Sequence, residues 1–361
     1  MKAWDAAETD PSEEPATRRD DAIDELAAAG IDLDPAPPGR ARRDAAGGDP
    51  EDHEHPAGYP ADHEHPHRRS TAGEPPIVGI VGAGAVGSAL GVALSRAGWP
   101  VQAVASRDPG RRERFRNLVS GARAFAEPTA LLEEVELIIL AVPDDAIPVV
   151  AGGLRMYSGQ AMVHTSGLLG AEALSPAMAA GTQIGSFHPL VAFADTERAV
   201  EALHGATVAI EGDDQLASLL AEMAEAMGAV PVRLAAGSKA AYHAAAVLAA
   251  GGFVALLDAI VELGRVAGLD EQGSLAIYGR LIEQTLGNAR ALGVSSALTG
   301  PVTRGDRGTL EAHLAAMGRH APGAVALYTA AAEREIALAE ARGAVTPDVA
   351  ERLRTTLATR F

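Results

Sequence analysis

Residues 77–87 read Ile-Val-Gly-Ile-Val-Gly-Ala-Gly-Ala-Val-Gly. The apolar run Ile77–Val81 predicts a buried strand, and Ala85–Ala97, closed by Gly98, predicts a helix. Between them lies Gly82-x-Gly84-x-x-Gly87. In a strand–turn–helix setting, each glycine has a separate task when the ligand is a dinucleotide pyrophosphate. Gly82 permits the tight turn, Gly84 lets the backbone approach the phosphates, and Gly87 packs the helix onto the strand. The free N–H groups at the helix start, on Ala85, Val86 and Gly87, then face the anion with the positive end of the helix dipole.

Working outward, strand and helix alternate. Val101–Ala105 reads as a second strand, Pro109–Val119 as a basic helix, Ala122–Phe125 as a short strand and Val135–Val142 as a central strand buried on both faces. Asp144–Leu154 reads as a helix and Ala161–His164 as a further strand. The runs Gln183–Phe187, Thr207–Ile210 and Val230–Leu234 extend the sheet, with a helix over Asp213–Met227. From Ser238 onward only helices are expected, at about 239–267, 270–292, 308–318, 321–342 and 346–358. The fold class is therefore an α/β Rossmann domain with a doubly wound, mostly parallel sheet, followed by an all-α C-terminal domain. The expected boundaries are 1–74 for an acidic tail, 75–236 for the Rossmann domain and 237–361 for a helical substrate and dimerisation domain.

The tail separates by composition. Of the formal charge of −18, residues 1–74 carry −11, from 19 Asp/Glu against 8 Lys/Arg, and they are poor in large apolar residues. Such a segment is expected to be disordered, apart from a short amphipathic stretch at Asp21–Leu33. It repeats Asp-His-Glu-His-Pro at Asp52–Pro56 and Asp62–Pro66, a pattern that binds Zn²⁺ or Ni²⁺ weakly at best and reads more simply as a solvated low-complexity tail. No metal site is expected. The chain has no cysteine, which excludes disulfides and thiolate chemistry and fits a reducing, cytoplasmic setting. No basic face suggests nucleic acid. No secretory signal is evident, and the apolar stretch Ala244–Leu257 is shorter than a bilayer span and reads as a buried helix.

The end of the second strand selects the cofactor. An NAD site usually places an acid there to hold the ribose 2′-hydroxyl. This chain has Ser106-Arg107, with Arg111 and Arg112 following, and a hydroxyl beside a guanidinium suits the 2′-phosphate of NADP(H). Asp108 reads as the N-cap of the helix that opens at Pro109. The Ala141-Val142-Pro143-Asp144 turn, at the end of the central strand, places Val142 and Pro143 beside the cofactor.

Three clusters are candidates to meet a nicotinamide: His164-Thr165-Ser166-Gly167, Gly185-Ser186-Phe187-His188-Pro189, and Lys239-Ala-Ala-Tyr242-His243. Lys239, in the first turn of a helix, is in a field that lowers its pKa and favours proton donation. His243 shares its helix face. A ketone receiving hydride develops negative charge on oxygen, which Lys239 and His243 would stabilise and protonate. His188 is either a further proton donor and substrate contact or the holder of a turn before Pro189. Ser166 is either a ligand for cofactor and substrate or a hydroxyl closing the turn. Arg304, in the Gly-rich stretch Thr299–Asp306, is a candidate clamp for a substrate carboxylate, with Asp306 its partner or a helix N-cap.

Taken together, the glycine turn, AVPDDAI, HTSG, GSFHPL, KAAYHAAAV and GPVTRGD resemble the bacterial family that joins a Rossmann-like domain to a C-terminal domain of unassigned function, DUF2520. The resemblance runs from about Pro75 to the C-terminus. It implies a place in the phosphogluconate-dehydrogenase-like superfamily, beside ketopantoate reductase and pyrroline-carboxylate reductase, and a homodimer formed through the C-terminal helices. In those relatives a Lys-x-x-x-Asn pair on the first long helix handles the carbonyl. Here Lys239 matches and His243 replaces Asn. The resemblance implies an NADPH-dependent reductase of a small 2-oxo acid, with 2-dehydropantoate the first substrate to try. The alternatives are a cyclic imine reductase and a non-catalytic NADP(H)-binding sensor or scaffold. Neither a membrane nor a nucleic-acid partner is expected.

Overall fold

The computed structural model describes residues 74–179, 181–193, 196–235 and 237–358. Residues 1–73 of the acidic tail, with Asp21–Leu33 and both DHEHP repeats, lie outside them. The chain divides into two compact units between Ala246 and Val247.

The first unit is built on one eight-stranded sheet: β1 (Val78–Val81), β2 (Val101–Ala105), β3 (Arg123–Phe125), β4 (Leu137–Leu140), β5 (Ala161–His164), β6 (Gln183–Pro189), β7 (Thr207–Glu211) and β8 (Val230–Arg233). The order is β3-β2-β1-β4-β5-β6-β7-β8. Neighbours from β3 through β6 are parallel, β7 runs antiparallel to β6, and β8 runs parallel to β7. The central strands read as unbroken apolar runs because both faces are covered. Val78, Ile80, Leu137 and Ile139 pack into one cluster, whereas Val81, Ile138 and Leu140 pack into the other. Helices α1 (Ala85–Arg96), α2 (Pro109–Leu118), α3 (Ile147–Gly152), α4 (Thr196–Leu203) and α5 (Asp214–Ala226) accompany the strands. Asp108 and Asp213 cap α2 and α5 by accepting from the backbone N–H groups of Arg111 and Leu216.

Two sequence expectations change here. Strand β6 continues through His188 and Pro189, so His188 lies in a strand and does not hold a turn. Pro189 is tolerated next to the antiparallel partner Val208, although proline inside a run ordinarily signals a strand's end. The segment expected to be one helix over Asp144–Leu154 is a 3₁₀ turn, Asp144–Ala146, followed by α3.

The helical run Lys239–Val266 comprises α6 (Lys239–Val247), a π-helical segment at Leu248–Gly252 and α7 (Phe253–Val266). It is 28 residues long and, by length and composition alone, apolar enough to cross a membrane. Almost none of its most apolar stretch is buried. This corrects the reading of Ala244–Leu257 as a short buried helix. The helix carries on through Gly251 and Gly252, and Val247, Leu248, Val254 and Leu256 along it are exposed, whereas Val261 is buried. The second unit continues with α8 (Glu271–Leu292), α9 (Val294–Ala297), α10 (Arg307–His320), α11 (Val325–Ala341) and α12 (Pro347–Ala358), and is all-helical. Its core gathers Val302, Leu310, Leu314, Ile336 and Leu353.

Candidate active site

The glycine turn has the geometry its sequence predicts. Gly82 has φ +107°, and a Cβ there would lie 2.2 Å from the Ala141 carbonyl oxygen. A Cβ on Gly87 would lie 1.9 Å from the Gly82 carbonyl oxygen, so helix and strand pack closer than any side chain allows. Gly84 differs: a Cβ there would meet only the Arg111 guanidinium, at 3.9 Å. The space above Gly84 is thus open on the protein side, as approach of a pyrophosphate requires. Gly84 caps α1 without a side-chain bond, and the first turn holds no acid, so the N–H groups of Ala85, Val86 and Gly87 are left for an anion. Val142 lies against the same turn, where its Cγ1 would be 3.2 Å from a Gly82 Cβ.

Beyond β2, Ser106 is half-buried and Arg107 is exposed. The two following arginines have different surroundings. Arg112 donates to the carbonyls of Ser106 and Arg107, and so braces the strand end. Arg111 reaches back over Gly84 and pairs with Asp108 at 3.6 Å.

The remaining candidates other than Arg304 meet at the carboxyl ends of β4, β5 and β6. Strand register creates a row across the sheet: Leu140 is paired with His164, His164 with Ser186, and Ser186 with Glu211. His164 is fully buried; its Nε2 bonds the Gly170 carbonyl at 2.9 Å and its Nδ1 accepts from the Ser166 N–H. Burial lowers its pKa. With both ring nitrogens used internally, His164 is structural. Ser166 is also buried. Its hydroxyl donates to Asp144 at 2.8 Å and accepts from the N–H groups of Leu168 and Leu169. Of its two sequence readings, the hydroxyl that closes the turn describes this geometry.

Lys239 is 4% exposed. Its ammonium donates to the Ser166 carbonyl at 2.8 Å and the Ser186 hydroxyl at 2.9 Å, and pairs with Glu211 at 3.5 Å. Ser186 in turn donates to Glu211 at 2.8 Å. An ammonium has three donors; two are hydrogen-bonded within the protein here, and the Glu211 carboxylate faces the ammonium as its counter-charge. The Lys239 pKa is lowered, as expected, but the chief cause is burial rather than the helix dipole, and Glu211 opposes it. The sequence gives no reason to single out Glu211 or the Asp144 side chain, and offers Ser186 only as a member of its cluster. The signal for Glu211 is that an apolar strand, Thr207–Glu211, ends on an acid, and that a buried lysine calls for one.

His188, Tyr242 and His243 form the adjoining cluster. The Tyr242 hydroxyl is 3.3 Å from His188 Nδ1, and the His188 ring meets both Tyr242 and His243 edge-on at 5.7 and 5.8 Å. Gly167 admits them: a Cβ there would be 2.3 Å from His243 Nδ1 and 2.7 Å from His188 Nε2. His243 Nδ1 is buried and has no hydrogen-bond partner among the described residues. Burial, and then the Lys239 charge, pull the His188 pKa down to about 4, while burial raises that of Tyr242. At neutral pH this is an uncharged imidazole beside a protonated phenol, both able to donate hydrogen bonds. Arg304 lies in the second unit, exposed, within a 3₁₀ turn at Val302–Arg304; Asp306 is the N-cap of α10 and accepts from the Thr309 N–H.

Sheet order, glycine turn and helical continuation define a Rossmann-like protein with an added helical unit. Residues 65–189 match the model of the Rossmann-like domain, and residues 206–335 match that of the domain of unknown function DUF2520. No curated protein sequence matches it. Among solved structures it is similar to protein TM1727 from Thermotoga maritima, at 25% identity over 74% of this chain and 100% of that one, with a TM-score of 0.56. It is also similar to the candidate NADP oxidoreductase BF3122 from Bacteroides fragilis (21%, 72% and 98%, 0.61). The reductive aminase from Aspergillus terreus in complex with NADPH, cyclohexanone and allyl amine shares the fold (18%, 78% and 92%, 0.51).

Proposed function

We propose that the protein is an NADPH-dependent reductase of a small carbon–nitrogen or carbon–oxygen double bond, and that imines are the better substrates of the two. The observation that carries the preference is Lys239, whose buried ammonium is hydrogen-bonded to the Ser166 carbonyl and the Ser186 hydroxyl and paired with Glu211. A ketone needs an acid at its oxygen, and Lys239 as held here does not offer one. An imine that enters protonated needs none.

The cofactor is assigned from the open approach at Gly84, the free N–H groups of Ala85, Val86 and Gly87, and Arg107 and Arg111 for the 2′-phosphate. Val142 and Pro143 border it. When bound, the reduced nicotinamide supplies hydride. The chain's own contribution is to orient the substrate at His188, Tyr242 and His243, donate hydrogen bonds from an uncharged His188 and a protonated Tyr242, and exclude water. Several neighbours that share this fold hold NADP or NADPH, and the reductive aminase among them binds a ketone with an amine.

The test is NADPH oxidation by the purified protein across cyclic imines, ketone–amine mixtures, ketopantoate and other 2-oxo acids. Turnover confined to the imine arms supports the reading. Turnover confined to 2-oxo acids restores the ketopantoate-type reading, in which Lys239 is the acid and Arg304 holds the carboxylate. Tight NADPH binding without oxidation across the panel leaves a non-catalytic sensor.

We further propose that the protein is a homodimer through its C-terminal helices. In α8 only Ser274 is buried, whereas Ile277, Leu281 and Leu286 are each more than half exposed, as is Leu248 on the long helix. Exposed apolar side chains along two helices support this reading. Light scattering is expected to give twice the chain mass, and Leu281→Glu to shift it toward the monomer.

A further inference from the structure

Lys239 and Glu211 are 28 positions apart and come from different kinds of element, the first residue of α6 and the last of β7. Both belong to the DUF2520 segment, yet the groups they hold, the Ser166 carbonyl and the Ser186 hydroxyl, belong to the Rossmann-like segment. Lys239 is 4% exposed and the Glu211 side chain 17%. Taking two charges out of water costs several kcal/mol per ion unless each is matched, so this pair is balanced by its own geometry. Immediately beside it, His188 and His243 press on Gly167, the residue after the carbonyl that Lys239 grips.

We propose that Glu211 and Lys239 are a positioning pair, a buried ionic clamp that draws the Ser166–Gly167 turn and β6 onto the start of α6, and holds His188 and His243 against Gly167 beside a fixed positive charge. Lys239 then acts through the histidines and does not itself touch substrate. The groups that bear on His188 are Lys239, Tyr242 and His243 from α6, His164 from β5, and Asp144 from the turn after β4. Of these, Lys239 brings the one ammonium group, and the clamp is what keeps it there. The pair belongs to the site on which the reductase reading rests. The test below reads the protein without substrate, so failure of the clamp and failure of the reductase reading are separate results.

The experiment compares the full-length protein with Lys239→Met, Glu211→Gln and the double variant, by thermal unfolding and by NMR titration of the histidine rings, with His188 assigned through His188→Asn. Each single variant strands one buried charge and is expected to lower the melting temperature by about 10 °C. The double variant strands none and is expected to lose less than either single. The His188 midpoint is expected to rise in Lys239→Met and in the double variant while staying below the ordinary histidine range, because burial, the larger cause of its depression, remains. Losses that simply add in the double variant, or a His188 midpoint that does not rise at all once Lys239 is gone, overturn the proposal. Should Lys239→Met fail to fold, a folded double variant upholds the clamp, and a double variant that fails as well overturns it.

Discussion

Ser186 lies directly opposite Glu211 across the antiparallel β6–β7 pair, and its hydroxyl donates to the Glu211 carboxylate at 2.8 Å while accepting from Lys239 at 2.9 Å. A hydrogen bond to a charged group contributes about 1.5–3 kcal/mol. Ser186→Ala removes this bridge but leaves both charges in place. Urea unfolding at neutral pH is expected to show a loss of that size, with cofactor affinity unchanged because the glycine turn is separate.

The openness above Gly84 predicts a variant that damages binding and spares the fold. Gly84 does not have positive φ, and a Cβ there meets only the Arg111 guanidinium. Gly84→Val therefore leaves the melting temperature of the ligand-free protein nearly unchanged. A branched side chain occupies the approach to the phosphates, so NADPH affinity, followed by its fluorescence, is expected to fall at least about tenfold. Gly87→Ala behaves differently, because its Cβ strikes the Gly82 carbonyl and the fold itself suffers.

Arginines 107, 111 and 112 are expected to separate by role. Arg107 is exposed and Arg111 overhangs Gly84, whereas Arg112 is spent on two backbone carbonyls. Arg107→Ala is expected to weaken NADPH about tenfold or more and leave NADH almost unaffected, since only the former has a 2′-phosphate for the guanidinium. Arg112→Ala is expected to weaken both cofactors alike by loosening the end of β2. An equal effect of Arg107→Ala on NADPH and NADH counts against the NADP assignment.

Acid is expected to destabilise the protein through its buried histidines. The His188 pKa is about 4 in the folded chain and 6.5 as the ordinary value, and His164 is lowered in the same direction. The unfolded chain therefore binds more protons between these limits, and stability rises with pH there. The stabilising contribution is complete above about pH 6.5 and is lost as pH falls toward 4. Melting temperatures measured from pH 7 to pH 4.5 should decline, and His188→Asn should flatten the decline. A slope unchanged in His188→Asn would show that His188 is not depressed.

Much of the first unit is legible along the chain because its signals are local. An apolar run that enters three spaced glycines needs no distant residue to be read, and Val101–Ala105 and Ala161–His164 show the same bounded apolar character. Three things are not local. Helix α4, Thr196–Leu203, is only eight residues long and carries too few turns to display a period. Pro189 masks the end of β6, since its place in the sheet depends on which neighbour pairs with it. The role of Lys239 depends on the register of β6 against β7, which brings Ser186 and Glu211 together. Seen from sequence alone, a lysine at a helix start beside a cofactor domain suggests an acid. Seen beside Glu211, it is a tie between segments.

The antiparallel strand β7 also has a consequence for how the protein can be cut. The Rossmann-like match stops at residue 189, the last residue of β6. A fragment ended there would present β6 as a bare edge, with its ladder of N–H and C=O groups open to pairing with another chain. It would also keep Ser166 and Ser186 while discarding the charges that hold them. A fragment ending at Ala246 closes that edge with β7 and β8 and retains both ions. Aggregation of the shorter piece and solubility of the longer one would place the end of the first folding unit inside the DUF2520 segment rather than at its border.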